Sequence, residues 1–243
     1  MKIALQFAGP LPREVSQVWY ENIRMHMDCP IVHCTDMETE AFDFAAEVQR
    51  IDEQNIPKAK YRHLAQLKGD VLMLDYDIIV QKDVSDVFLR PFDIALTVRK
   101  AKQDKNEMLH LGSPHNTGVI FSRNQKFWEF CHERYLNYPS DVGWMSGQNN
   151  ITECAHIFRK EFKIIELPGF LYNYTPKNQT EDLSERYIVH YKGHRKHWMV
   201  PTQAAYNEGY RVAKLAEGPT PFTPDHPNFE RIMKLRKELG YDN

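Results

Sequence analysis

Two aspartates separated by one residue are the first feature of this sequence that could do chemistry. Asp75 and Asp77 follow residues 71–74, a short apolar run of the kind found in a strand covered on both faces. Because side chains alternate along a strand, both carboxylates should point the same way, and their repulsion favours a divalent cation between them. The alternative is that they form only local hydrogen bonds, as aspartates at strand ends often do.

A basic segment late in the chain is the second such feature. A short strand predicted over residues 187–190 ends in His190, and Gly193 then begins a turn. This turn presents three cationic side chains, Lys192, Arg195 and Lys196. Concentrated positive charge at a glycine turn suits a phosphate group. A basic surface loop without a ligand is the alternative.

The hydrophobic pattern predicts alternating strands and helices around these two features. Five further strands are expected, over residues 2–8, 30–35, 47–52, 93–98 and 162–167. Four helices are expected, over residues 13–27, 58–68, 125–135 and 147–158. This alternation predicts one α/β domain with a mostly parallel central sheet and helices on both faces. In such sheets ligands bind at the carboxyl ends of the strands, where the two aspartates fall.

Three other segments complete the predicted organisation. Residues 115–122 combine a polar turn carrying Gly118 with an apolar run, and this glycine permits close approach to a ligand or a neighbouring strand. Residues 99–108 are charged and lack apolar periodicity, which predicts a solvated loop, with a mobile lid as the alternative. Residues 1–218 should form the domain, and residues 219–243 a proline-rich connector with a docked terminal helix.

Composition excludes several classes of protein. The 243 residues include 31 Lys and Arg against 33 Asp and Glu, so no general field attracts nucleic acid or an anionic membrane. The sequence shows neither a leader peptide nor a membrane-spanning run, which predicts a cytoplasmic protein. Its four cysteines lack CxxC spacing and should be reduced thiols. Without a leader, glycosylation sequons at Asn150, Asn173 and Asn178 carry no weight, and the oligomeric state stays open.

Four segments together resemble the GT-A fold glycosyltransferases, and most of all family 8, which includes glycogenin and lipopolysaccharide galactosyltransferases. They occur in the expected order, as LDYDIIV, HNTGVIF, GQNN and HYKGHRKHW. The similarity covers about residues 58–198. Its most specific parts are the triplet Asp75-Tyr76-Asp77 and the pattern H-x-x-G-x-x-K-x-W over residues 190–198. The resemblance implies a Rossmann-like fold for nucleotide-diphosphate sugars.

The resemblance implies roles for the residues of both motifs. Asp75, Tyr76 and Asp77 match the family's D-x-D motif, which binds manganese and the donor diphosphate, and Asp77 is therefore a candidate catalytic residue. His190 matches the third protein ligand of the metal. Two further residues match the loop that holds the diphosphate, Gly193 and Lys196.

Further roles are implied around the donor sugar. Arg62 resembles the arginine that precedes the D-x-D strand and contacts the donor. Asn116 and Gly118 match the turn that lines the sugar pocket, and Gln148 matches the glutamine of the family's D-Q-D segment near the anomeric carbon. Both flanking carboxylates of that segment are missing, since Gly147 and Asn149 replace them. His197 stands where proline is usual, and residues 8–10 lack the acidic residue that contacts the base.

These resemblances imply a metal-dependent transferase that moves a sugar from a nucleotide sugar, expected to be a UDP-sugar, to a glycan or other hydroxyl acceptor with retention. The imidazole favours Mn²⁺ over Mg²⁺, and the cation and Lys196 would stabilise the departing diphosphate. Three alternatives stay open. The first is a catalytically silent sugar-nucleotide-binding protein, the second a GT-A transferase of another family using GDP-mannose or UDP-GlcNAc, and the third a metal-dependent hydrolase of nucleotide sugars.

Overall fold

A computed structural model describes residues 1–10, 13–99, 113–138, 146–179 and 181–200. Within these ranges the strands are β1 Lys2–Gln6, β2 Ile31–Thr35, β3 Glu47–Arg50, β4 Val71–Asp75, β5 Ile78–Val80, β6 Ile94–Val98, β7 His115–Ser122, β8 Ile164–Pro168 and β9 Ile188–His190. The helices are α1 Arg13–His26, α2 Ile56–Gln66, α3 Gln125–Leu136, α4 Ser146–Ile157 and the short α5 Gly169–Tyr172. Two 3₁₀ turns span Ser85–Leu89 and Gly193–Arg195.

Seven strands form one sheet in the order β3-β2-β1-β4-β7-β6-β8. Strands β3, β2, β1 and β4 are parallel to one another, and β6 is parallel to β8. Strand β7 runs antiparallel between β4 and β6. Strands β5 and β9 pair in a separate antiparallel sheet. The predicted α/β architecture with a mostly parallel central sheet is therefore confirmed.

Hydrophobic clusters cover both faces of the central sheet. On β4, Leu72 and Leu74 belong to the cluster formed with α1 and the small sheet, while Val71 and Met73 belong to the cluster under α2, α3 and α4. All four side chains are 1% exposed or less. Because each fully buried aliphatic side chain contributes roughly 1.5–3 kcal/mol, the strand is held firmly and its carboxyl end has a fixed position.

The polar turn expected over residues 115–122 is wrong, because all eight residues belong to β7. The apolar half pairs with β4 from Leu74 to Val71. The polar half pairs with β6, where a register shift between Leu96 and Thr97 aligns Thr97 with Asn116. Hydrogen bonds to two neighbouring strands therefore extend a strand through residues whose local pattern favours a turn.

Several predictions concern parts of the chain that the structure leaves undescribed. The charged loop beyond Arg99, the proline-rich connector and the terminal helix lie outside the described residues.

All four cysteines are buried and free. Among the helices of the described ranges, none combines the length and the apolar character needed to traverse a lipid bilayer.

Candidate metal centre

Backbone pairing of β5 with β9 brings His190 to the two aspartates. Asp77 directly precedes β5, whose first residue, Ile78, is paired with His190. The N–H of Tyr191 donates to the carbonyl oxygen of Asp77 at 2.8 Å. The imidazole and the carboxylates are therefore held together by main-chain contacts between distant parts of the sequence.

A turn after β4, and not alternation along one strand, brings the two aspartates together. The strand ends at Asp75, and Tyr76 and Asp77 form a turn before β5 begins. Alternation along one strand, which the sequence suggested, therefore does not apply. The two carboxylates instead approach each other because the chain bends between β4 and β5.

Three ligand-type atoms converge at this point. His190 Nε2 lies 3.1 Å from Asp77 Oδ1 and 4.0 Å from Asp75 Oδ2. One ligand atom from each of the three residues lies within 4.8 Å of the other two. Atoms bound at about 2.1 Å to one cation lie about 3 Å apart when adjacent on an octahedron and about 4 Å apart when opposite. The observed separations fit three ligands of one divalent cation.

Two lysines engage the other oxygens of the same carboxylates. Lys60 on α2 forms an ion pair with Asp75 Oδ1, and Lys196 Nζ lies 3.2 Å from Asp77 Oδ2. The oxygens left over, Oδ2 of Asp75 and Oδ1 of Asp77, are those that face His190. One oxygen of each carboxylate therefore contacts a lysine, and the other oxygen lies next to the imidazole of His190, where a cation could bind.

The electrostatics of the cluster set the protonation states that a cation needs. Burial acts to raise the pKa of Asp77, but the hydrogen bond and charge of His190 and the ammonium group of Lys196 lower this pKa to about 2 overall. Burial lowers the pKa of His190, against the opposing effect of Asp77. At neutral pH the carboxylate is therefore charged and the imidazole neutral, as metal ligands must be.

Lys60 is a site residue that the sequence did not single out. It is 4% exposed and also donates to the carbonyl oxygen of Thr117 at 2.9 Å. Arg62, expected to contact the donor, is two residues further along α2, about 200° around the helix, and donates to the carbonyl oxygen of Asp52 at 3.0 Å. A donor contact by Arg62 stays a prediction. The signal for Lys60 was its place four residues before Leu64, on the buried face of α2.

The glycine turn after β9 lies beside the cluster. Gly193 has φ +59°, which favours glycine, and begins the 3₁₀ turn that leads to Lys196. Lys196 Nζ donates to the hydroxyl of Tyr76 at 2.7 Å and lies 4.5 Å from the centre of its ring. The two sequence motifs therefore form one site, in which a lysine with a partly exposed side chain is next to the aspartates.

Gln148 and Asn116, both expected near the donor sugar, are in contact. Gln148 lies in the first turn of α4 and its Oε1 accepts from Asn116 Nδ2 at 3.4 Å and from Arg99 Nη2 at 2.6 Å. Both residues are buried. Gly147, which stands where the family has a carboxylate, packs closely on α2, since a Cβ at this position would lie 3.0 Å from Cβ of Pro57.

Gly118 packs against the imidazole rather than against a turn. A Cβ at this position would lie 2.7 Å from His190 Nδ1 and closer still to Cε1. Real Cβ atoms do not approach other atoms so closely, so a larger residue at this position would displace the ring. The close approach predicted for Gly118 is therefore an approach to the ring of His190.

A cleft of about 1210 Å³ lies between the segment after β1 and the segment after β2. Phe42 lines it, and Phe7 links the cleft to the cluster, since its ring lies 6.1 Å from that of Phe42 and 5.1 Å from that of Tyr76. Stacked aromatic rings offer flat apolar surfaces. The arrangement therefore connects the aspartates to a cleft large enough for part of a ligand.

No protein-family model matches the chain, and no curated protein does. Solved structures match it. The galactosyltransferase LgtC, in complex with donor and acceptor sugar analogues, matches over 98% of this chain and 96% of its own, with 11% identity and a TM-score of 0.55. The glycosyltransferase GlyE of Streptococcus pneumoniae TIGR4 matches over 88% and 63%, with 13% identity and a TM-score of 0.54. A glycosyltransferase involved in glycosylation of the major capsid of PBCV-1 matches over 84% and 99%, with 14% identity and a TM-score of 0.55.

At such low identities the likeness shows the fold. The chain has the GT-A fold of these glycosyltransferases, as its sequence predicted. Within this fold the two aspartates lie at the carboxyl end of β4, where ligands bind in open α/β sheets.

Proposed function

We propose that this protein is a metal-dependent glycosyltransferase that moves a sugar from a nucleotide-sugar donor to a hydroxyl acceptor. The observation that supports it most is the convergence of Asp75, Asp77 and His190 at one point of a GT-A fold. Oxygen and imidazole ligands of this kind suit Mn²⁺ or Mg²⁺, and the imidazole favours Mn²⁺.

Asp75 Oδ2, Asp77 Oδ1 and His190 Nε2 would hold the cation. When the bond between the anomeric carbon and the diphosphate breaks, its electrons leave with the diphosphate. A bound cation would stabilise the negative charge that develops there. Lys60 keeps Asp75 oriented through the ion pair that the two form. The side chain of Lys196 is 42% exposed. Its ammonium group could release the Asp77 carboxylate and bind a phosphate oxygen of the donor instead, while staying in the site.

The remaining contacts suit the two ends of a donor. Gln148 and Asn116, held to each other and buried, would orient the sugar and exclude water from the anomeric carbon. The cleft lined by Phe42 would take the base. A UDP-sugar as the donor and retention of configuration follow from the resemblance to family 8 and are part of the proposal.

A catalytically silent sugar-nucleotide-binding protein is the second candidate. It is favoured by Gly147 and Asn149, which carry no carboxylate, and by Gln148, whose Oε1 already accepts from Arg99 and Asn116. In that case the metal and the donor would bind, but the bond at the anomeric carbon would stay intact.

Calorimetry with a panel of nucleotide sugars, with and without Mn²⁺, tests the proposal together with NMR of the reaction products. We expect binding of one donor that requires Mn²⁺, and transfer or slow hydrolysis of its sugar. Asp77→Asn should abolish both, whereas the matched control Asp86→Asn, an exposed aspartate of the 3₁₀ turn, should abolish neither. Metal-independent binding that survives Asp77→Asn would contradict the proposal. Binding without any turnover would favour the silent protein.

A further inference from the structure

The direction of the hydrogen bonds around His190 can be derived from one backbone group. The N–H of Gly118 can only donate, so the side-chain atom of Asn116 that lies 2.9 Å from it must be the oxygen Oδ1. The same oxygen lies 2.7 Å from a side-chain atom of Asn173. Since two oxygens would repel, this atom of Asn173 must be the nitrogen Nδ2.

A second contact gives the same orientation of the Asn173 amide. Its Nδ2 lies 2.7 Å from Thr97 Oγ1, and the Thr97 hydroxyl donates its only hydrogen to the carbonyl oxygen of Asn116 at 3.4 Å. Thr97 Oγ1 must therefore accept from Asn173. Both hydrogens of Nδ2 are engaged, and Oδ1 of Asn173 is left as an acceptor.

This acceptor lies 2.8 Å from Nδ1 of His190, so Nδ1 must carry a hydrogen. A neutral imidazole has only one, and its Nε2 then bears a lone pair. Nε2 is the atom that faces the inner oxygens of Asp77 and Asp75. We infer that Asn173 is a positioning residue, which holds the tautomer of His190 whose Nε2 can bind the cation.

The surroundings hold Asn173 and the ring in place. Asn173, Asn116 and Thr97 are 7%, 5% and 0% exposed. Gly118 packs directly against the ring, since a Cβ at this position would overlap it. Partners that fix the tautomer of a metal-binding histidine typically change metal affinity by about 10–100-fold.

The inference rests on the proposed function, because it needs a cation at His190, and substitution of Asn173 tests it. Asn173→Leu keeps the approximate volume and loses the acceptor, whereas Asn173→Asp keeps an acceptor toward Nδ1. By calorimetry with Mn²⁺ alone, we expect affinity to fall by about 10–100-fold in the leucine variant and by less in the aspartate variant.

A double-mutant cycle separates this role from a merely structural one. In a His190→Ala background, Asn173→Leu should cause no further loss of Mn²⁺ affinity, since the two residues act through the same ligand. A loss of the same size in both backgrounds would overturn the inference. So would equal affinity of the unsubstituted protein and Asn173→Leu.

Nitrogen NMR of histidine-labelled protein without metal gives a readout that needs no variant to fold. Nδ1 of His190 should carry a hydrogen, whether the ring is neutral or also bears a proton on Nε2 toward Asp77. A ring whose only hydrogen is on Nε2 would overturn the inference and leave the proposed function intact. Failure of the unsubstituted protein to bind Mn²⁺ would overturn both, so the two failures are distinguishable.

Discussion

Two buried histidines of this protein have opposite surroundings. His33, in β2, is 0% exposed, and His190, in β9, is 4% exposed. His33 Nδ1 accepts from the N–H of Phe42 at 3.3 Å, and its Nε2 lies 3.1 Å from the carbonyl oxygen of Phe7. Nε2 therefore donates. With one donor and one acceptor as partners, the neutral ring of His33 is fully satisfied.

Both nitrogens of His190 face acceptors instead, Asn173 Oδ1 on one side and the carboxylate of Asp77 on the other. A neutral imidazole can donate to only one of them, so a proton or a metal ion between the other nitrogen and its acceptor would make that contact favourable. Burial is the same for the two histidines and does not distinguish them. The donor or acceptor character of their partners does.

The largest effect that we expect from this comparison is on metal binding. His190→Ala should weaken Mn²⁺ binding by more than about 100-fold, beyond the usual range for residues outside the ligand set, because a ligand is lost. His33→Asn should leave Mn²⁺ affinity close to that of the unsubstituted protein and lower its stability. Calorimetry on both variants measures the difference, and equal losses of affinity would contradict the distinction between the two histidines.

A smaller effect should follow from the glycine that packs against His190. Gly118→Ala should displace the ring, weaken Mn²⁺ binding by about tenfold and destabilise the fold by about 1–3 kcal/mol through overpacking. The control Thr117→Val changes the neighbouring side chain, which points to the opposite face of β7. Urea unfolding and calorimetry measure the two effects. Unchanged Mn²⁺ affinity in Gly118→Ala would show that the ring position does not matter.

The smallest effect concerns acid sensitivity. Burial lowers the pKa of His33 to about 4 and that of His63 to about 3. Because these imidazoles take up protons more readily in the unfolded chain, where the histidine pKa is about 6.5, stability should fall as the pH decreases from about 6.5 toward 4. The loss attributable to His33 reaches at most about 3 kcal/mol by pH 4 and is smaller at mildly acidic pH.

Urea unfolding at neutral and mildly acidic pH checks this prediction. His33→Asn should be less stable at neutral pH and should lose less stability on acidification. If acidification destabilised the variant and the unsubstituted protein equally, His33 would not be the neutral structural residue described above.

The sequence predicted those parts of the site that can be recognised from a short run of residues or a motif. The apolar residues 71–74 predicted a strand buried on both faces, and β4 confirms it. Matches to the two motifs selected Asp75, Asp77 and His190, which the structure brings together. The geometric reason given for the aspartates was wrong, because a turn follows Asp75 and single-strand alternation ends there.

Lys60 and Asn173 could not be found in the same way. Lys60 belongs to the site because α2 packs over the end of β4, and a lysine on a buried helix face has no motif of its own. Asn173 acts through three residues of other segments, Thr97, Asn116 and His190. Such contacts depend on how β6, β7 and β9 are placed in three dimensions, and periodicity reports only single segments.

Anomalous diffraction at the manganese edge, from crystals grown with Mn²⁺, tests the central claim most directly. We predict one peak within about 2.0–2.3 Å of Asp75 Oδ2, Asp77 Oδ1 and His190 Nε2. A manganese ion bound elsewhere, or one that leaves His190 Nε2 beyond bonding distance, would contradict the account.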